Sequence, residues 1–113
     1  MSRNCMIEYL ELHAVDFEET KRFYSEVFDW KFTDYGPEYM TFHDGRIEIG
    51  FAKGAVAATN VLVVVFADDL VAAEARVKAA GGKITQETFA FPGGSRFQFT
   101  DPSGNELSFW HDA

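Results

Sequence analysis

Cysteine is almost absent: Cys5 is the single one in 113 residues. No intramolecular disulfide can form, which fits a reducing compartment. Nothing near Cys5 marks an activated thiol, so it is not read as a nucleophile. Proline is scarce, and all three fall in turns beside glycine: Gly36-Pro37, Pro92-Gly93-Gly94 and Asp101-Pro102-Ser103-Gly104. Basic residues are few, ten against eighteen acidic, for a net charge of −8. That balance argues against nucleic acid, whose phosphates need clustered Lys and Arg. It also argues against anionic membrane surfaces. A cationic or neutral small ligand fits the charge, although solubility alone accounts for an acidic surface as readily. Long apolar runs are missing, and Val61–Ala67 has only the length of a buried strand. Met1-Ser2-Arg3-Asn4 leads into no apolar segment, so no leader is read and a cytoplasmic location is expected.

What is present is a globular composition, 47% hydrophobic and 16% aromatic with twelve Phe. One domain over residues 1–113, with a single modest core, is expected. The chain repeats a pattern. Residues 7–51 and 60–110 each read as a strand, a helix and a run of shorter strands. Laying Asp16 on Asp69 superposes both strand–helix junctions. Units this short cannot bury their own cores and must pack against each other.

Ile7–His13 alternates, with Leu10 and Leu12 on one face and Tyr9, Glu11 and His13 on the other. Asp16, three residues before Glu19, caps a helix whose stripe is Thr20, Phe23, Tyr24, Val27 and Phe28. Trp30–Thr33, Glu38–His43 and Arg46–Phe51 read as strands, with Asp44-Gly45 as a hairpin turn. Lys53–Asn60 is the candidate linker. Val61–Phe66 is apolar on both faces and is expected at the centre of the sheet. Asp68 or Asp69 caps a second helix that turns Leu70, Ala73, Val77 and Ala80 inward and ends at Gly81-Gly82. Lys83–Thr88, Ser95–Thr100 and Glu106–Trp110 complete the set. The expected fold is α+β: two tandem βαβββ units forming an eight-stranded curved sheet around an open groove, helices outside.

Three segments carry a resemblance. Phe23-Tyr24-Ser25-Glu26-Val27-Phe28-Asp29-Trp30, Ala80-Gly81-Gly82-Lys83 and Asp101-Pro102-Ser103-Gly104-Asn105 resemble, in this order, the structural motifs of the vicinal oxygen chelate superfamily. That superfamily includes glyoxalase I, extradiol dioxygenases and bleomycin resistance proteins. The chain looks closest to predicted enzymes related to lactoylglutathione lyase. Asp29 stands where a Gly is usual, so a different local turn is expected there. The resemblance also implies a homodimer. In metal-dependent members the first and last strand of each unit supply His, Glu or Gln ligands. Those positions fall here on Tyr9, Glu48, Leu62 and Ser108. Only Glu48 is a normal ligand for a divalent ion, and three protein ligands are the usual minimum. No cofactor and no metal is therefore expected. A displaced site using His13 with Glu48 or Glu106 would need ligands about 6.6 Å along the strand from the usual centre.

The groove is expected to present Tyr9, Glu11, Glu48, Leu62, Val64, Phe66, Ser108 and Trp110, with Trp30, Arg46, Arg96 and Gln98 as further candidates. Such a wall suits an organic ligand with an apolar body and polar handles, and aromatics beside carboxylates also accept a cation. Trp30, Trp110, Phe66 and Phe97 are read equally as core or interface. Glu48, between Ile47 and Ile49, needs a partner. Arg46 or Arg96 would supply a structural one. The leading reading is a glyoxalase-like small-molecule-binding protein without the family metal. The alternative is a metal-dependent or Glu48-based lyase or isomerase acting on a small carbonyl compound.

Overall fold

The computed structural model describes residues 7–56 and 61–112. Cys5 and residues 57–60 of the candidate linker lie outside the described residues. The elements run β1 (Tyr9–Ala14), α1 (Phe17–Phe28), β2 (Thr33–Asp34), β3 (Tyr39–His43), β4 (Glu48–Lys53), β5 (Val63–Phe66), α2 (Leu70–Ala79), β6 (Lys83–Phe91), β7 (Gly94–Thr100) and β8 (Glu106–Asp112). This is the tandem βαβββ arrangement in an α+β fold. The eight strands divide into two four-stranded halves, ordered β1-β4-β3-β2 and β5-β8-β7-β6. In each half the first strand pairs parallel with the last and the rest are antiparallel.

Both helices start where the carboxylates predict. Asp16 accepts from the Glu19 N–H and Asp69 from the Ala72 N–H, satisfying N-terminal donors that the helix itself leaves unpaired. Thr20, Phe23, Tyr24 and Val27 of α1 are buried, as are Ala73 and Val77 of α2, while Leu70 is half-buried. Asp29 ends α1 at φ 60° and ψ 33°, the left-handed conformation that Gly usually supplies. The local turn therefore keeps its usual shape in spite of the substitution. At the end of α2, a Cβ on Gly82 would lie 2.6 Å from Val77 Cγ1 and 2.9 Å from Phe23 Cε1. Only glycine allows that approach.

Three expectations shift. Trp30–Thr33 shrinks to the two-residue β2 because Trp30 leaves the sheet to stack on Phe28 and Phe42, each with ring centroids 4.1 Å apart. Lys83–Thr88 extends to Phe91, with breaks in register between Ile84 and Gln86 and between Gln86 and Phe89. β5 is not central in its own sheet but an edge strand, and Val64 and Phe66 are exposed. Its apolar inner face instead meets β1 across a crevice of about 240 Å³, lined by Leu10, Leu12, Val63, Val65 and Leu107 among others.

The halves are joined through the two motifs at opposite ends of the sequence. Asp101 is 4% exposed and Tyr24 is fully buried. The Tyr24 hydroxyl donates to Asp101 Oδ2 at 2.8 Å. Asn105 Nδ2 donates to the same oxygen at 2.8 Å and to the His13 carbonyl at 2.6 Å. Asp101 Oδ1 accepts the Ser103 and Asn105 N–H groups. The Val15 N–H donates to Ser103 Oγ. Burial and, secondarily, the Asp101 charge push the Tyr24 phenol well above its usual pKa. The Tyr24 ring also lies within 6 Å of Phe23, Phe28, Trp30 and Phe51, at the centre of the aromatic core.

Candidate functional site

Strand periodicity and register build the wall of the first half. Tyr9 of β1 pairs with Glu48 of β4, and Glu48 pairs with His43 of β3. The next row on that face joins Glu11, Gly50 and Thr41. The opposite face carries Leu10, Leu12, Ile49 and Phe51, which are turned to the core. Tyr9, Glu11 and Glu48 thus come together as the alternation predicts.

Four residues at this face were not singled out in the sequence: Tyr35, Tyr39, Thr41 and Gly50. Tyr39 reaches diagonally across the face. Its hydroxyl donates to Glu11 Oε1 at 2.9 Å and is hydrogen-bonded to the Tyr9 hydroxyl. The two phenols meet over Gly50, where a Cβ would occupy their place. Burial, and then the bonds to Tyr9 and Glu11, raise the Tyr39 pKa above its ordinary value, so the phenol stays protonated at neutral pH. Beside these groups lies a depression of about 450 Å³ lined by Tyr9, Tyr35, Tyr39, Thr41 and Glu48. A second cavity, of about 420 Å³, lies where the halves meet. It takes Tyr9, Glu11 and His13 from one half and Val61, Val63 and Glu106 from the other.

Glu48 is half-buried, and its carboxylate has no ion-pair or hydrogen-bond partner among the described residues. The expected pairing with Arg46 or Arg96 does not form. Arg46 is exposed beside the Asp44-Gly45 turn. Arg96 lies in the other half, its guanidinium 5.2 Å from the Phe89 ring centre and 5.7 Å from that of Phe91. Its Nε is buried without a hydrogen-bond partner among the described residues.

The second half contributes less than expected. Ser108 shares a row with Val64 and Gln98, yet it is 0% exposed and donates its hydroxyl to the Phe97 carbonyl at 2.9 Å. It offers a ligand no surface, which corrects its placement on the groove wall. Leu62, half-buried, precedes β5. Trp110 is half-buried and meets exposed Phe66 edge-on at 5.5 Å. Trp30 and Phe97 belong to the core. Glu106 accepts from Thr85 Oγ1 at 2.7 Å and Gln98 Nε2 at 3.1 Å.

The positions that would carry a family metal do not fit one. Leu62 has no donor atom, Ser108 is buried and bonded to backbone, and the Tyr9 phenol is bonded to Tyr39. Glu48 is left as the lone ordinary ligand. Among the described residues no group of three or more His, Cys, Asp and Glu is placed to hold a metal, the set around His13 included.

The family model of the glyoxalase/bleomycin resistance protein/dioxygenase superfamily matches residues 6–109. The chain belongs to that superfamily. No curated protein matches it in sequence. Solved structures share its fold at low identity. A glyoxalase/bleomycin resistance protein/dioxygenase family enzyme from Burkholderia phytofirmans is 15% identical, with 94% of this chain and 98% of that one covered and a TM-score of 0.83. A lactoylglutathione lyase from Agrobacterium tumefaciens is 19% identical, with coverage of 95% and 93% and a TM-score of 0.76. A fosfomycin resistance protein from Mesorhizobium loti is 17% identical, with coverage of 97% and 93% and a TM-score of 0.77. At these identities the likeness is one of vicinal oxygen chelate fold. No helix among the described residues is long and apolar enough to cross a membrane.

Proposed function

We propose that the wall around Tyr9, Glu11 and Glu48 captures a small organic molecule, without the divalent metal of the superfamily's metalloenzymes. One observation carries this reading: the Glu48 carboxylate stands half-buried in a sheet with no partner among the described residues. Its oxygens are not sealed from solvent, so the carboxylate stands free for a bound molecule in the adjoining depression to contact. The adjoining depression has the size of a small-ligand site. Leu62 and Trp110, the other expected contacts, line neither the depression nor the cavity where the halves meet. The exposed Val64 and Phe66 on the edge strand support a homodimer that covers them. The single cysteine supports a reducing, cytoplasmic setting.

The same carboxylate favours a second reading, in which Glu48 is a general base for a lyase or isomerase acting on a small carbonyl compound. A thermal-shift screen of small molecules, followed by mass analysis of each hit, separates the two. Capture predicts hits recovered intact. Base catalysis predicts a hit that is consumed, with turnover abolished in Glu48→Gln. Metal analysis of protein purified without chelator is expected to find far less than one divalent ion per chain. One tightly held ion per chain would overturn the metal-free reading.

A further inference from the structure

The hydrogen bonds on the first-half wall fix which way its protons point. Glu11, as a carboxylate, can only accept, so the Tyr39 proton points to Glu11 Oε1. Tyr39 has no second proton, so the bond between the phenols is donated by Tyr9. Both phenol protons therefore run away from the depression toward Glu11. What Tyr9 has left to offer is a lone pair, and Glu48 beside it offers two acceptor oxygens. Neither Glu11 nor Glu48 has an ion-pair partner among the described residues. Three tyrosine rings, those of Tyr9, Tyr35 and Tyr39, border the same space.

We infer that this depression holds the cationic head of the captured molecule, an alkylammonium or similar organic cation. The inference rests on the capture reading above and names the chemistry of what is captured. Of the groups that line the depression only the Tyr35 and Thr41 hydroxyls can donate to an oxyanion, and the Glu48 carboxylate beside them repels it. A neutral hydroxyl would use one acceptor and leave the charge unanswered. An organic cation answers the charge and lies against the electron-rich ring faces. A bare divalent ion needs several converging strong ligands, and the depression offers one carboxylate among neutral hydroxyls. The raised pKa of Tyr39 is consistent with this order, because a phenol that keeps its proton keeps the chain polarised.

Isothermal titration with benzyltrimethylammonium and its neutral isostere neopentylbenzene tests the inference. The ammonium is expected to bind the intact protein about tenfold or more tighter than the isostere. Glu48→Gln is expected to weaken the ammonium about tenfold and leave the isostere unchanged. Glu11→Gln, whose amide can donate back to Tyr39, is expected to narrow the gap between the probes. Unaltered melting temperatures in both variants show that the fold is kept. Equal binding of the two probes would overturn the cation inference while leaving capture of an apolar molecule intact. Ammonium binding unaffected by Glu48→Gln, no binding of either probe, or Zn²⁺ binding at one per chain that displaces the ammonium would also overturn it.

Discussion

Replacing Tyr24 with Phe removes one oxygen from the centre of the molecule and nothing else. The ring keeps its stacking against Phe28 and Trp30. What disappears is the 2.8 Å bond from the Tyr24 hydroxyl to the Asp101 carboxylate, which is 4% exposed. A hydrogen bond to a charged group contributes about 1.5–3 kcal/mol, and here water cannot replace the lost donor. Asp101 retains Asn105 Nδ2 and two backbone N–H groups, so the expected loss is about 2 kcal/mol rather than the cost of an isolated buried charge. With unfolding entropy of roughly 2.1 cal/mol/K per residue, a chain of 113 residues should melt about 8 °C lower. Urea unfolding followed by circular dichroism measures the change, and the slope with denaturant should be unaltered. Tyr35→Phe, at an exposed position, is the control and should change nothing. A loss under about 0.5 kcal/mol for Tyr24→Phe would refute the claim that this bond helps join the halves.

Alkaline pH should destabilise the protein. The folded pKa of Tyr24 lies above the unfolded value of about 10, so above pH 10 the unfolded chain sheds a proton that the folded one keeps. Stability is therefore intact below pH 10 and falls as pH rises through the folded pKa, and a urea series from pH 8 to 11 should show a shallower fall in Tyr24→Phe. Gly50→Ala places a methyl where the Tyr9 and Tyr39 hydroxyls meet and should cost about 1–3 kcal/mol, read by thermal melting. Asp29→Gly, at φ 60°, should stabilise by about 0.5–1 kcal/mol in the same assay.

Much of the fold was legible because it is local. The doubled pattern, both Asp caps, the helix stripes and the Asp44-Gly45 turn follow from side-chain period and backbone chemistry. That Tyr9, Glu11 and Glu48 share one face follows for the same reason, since period two puts them there. Tyr39 and Gly50 do not follow, because their meeting depends on the register of β1, β4 and β3, which the sequence does not print. Ser108 had the right parity and the wrong environment: alternation names a face but not what covers it. The apolar run before Phe66 looked central because both faces avoid water. One face does so by meeting β1 across a crevice rather than by lying between hydrogen-bonded neighbours. Trp30 left its strand for the Phe28 and Phe42 rings, a preference visible only once those rings are in place.

The tandem repeat is not closed alike at both seams. Asp44, in the turn between β3 and β4, accepts two backbone N–H groups much as Asp101 does between β7 and β8. Yet superposing Asp16 on Asp69 sets Tyr24 against Val77, which has no hydroxyl to send to Asp44. Asp44 instead borders an open cleft of about 450 Å³ with Asp68, Asp69 and Arg76. Across that cleft the halves are bridged instead by the Arg76 Nε–H, which donates to the Val27 carbonyl at 3.3 Å. One helix position, Tyr24 against Val77, thus separates a seam sealed by a buried side-chain bond from one left as an open cleft.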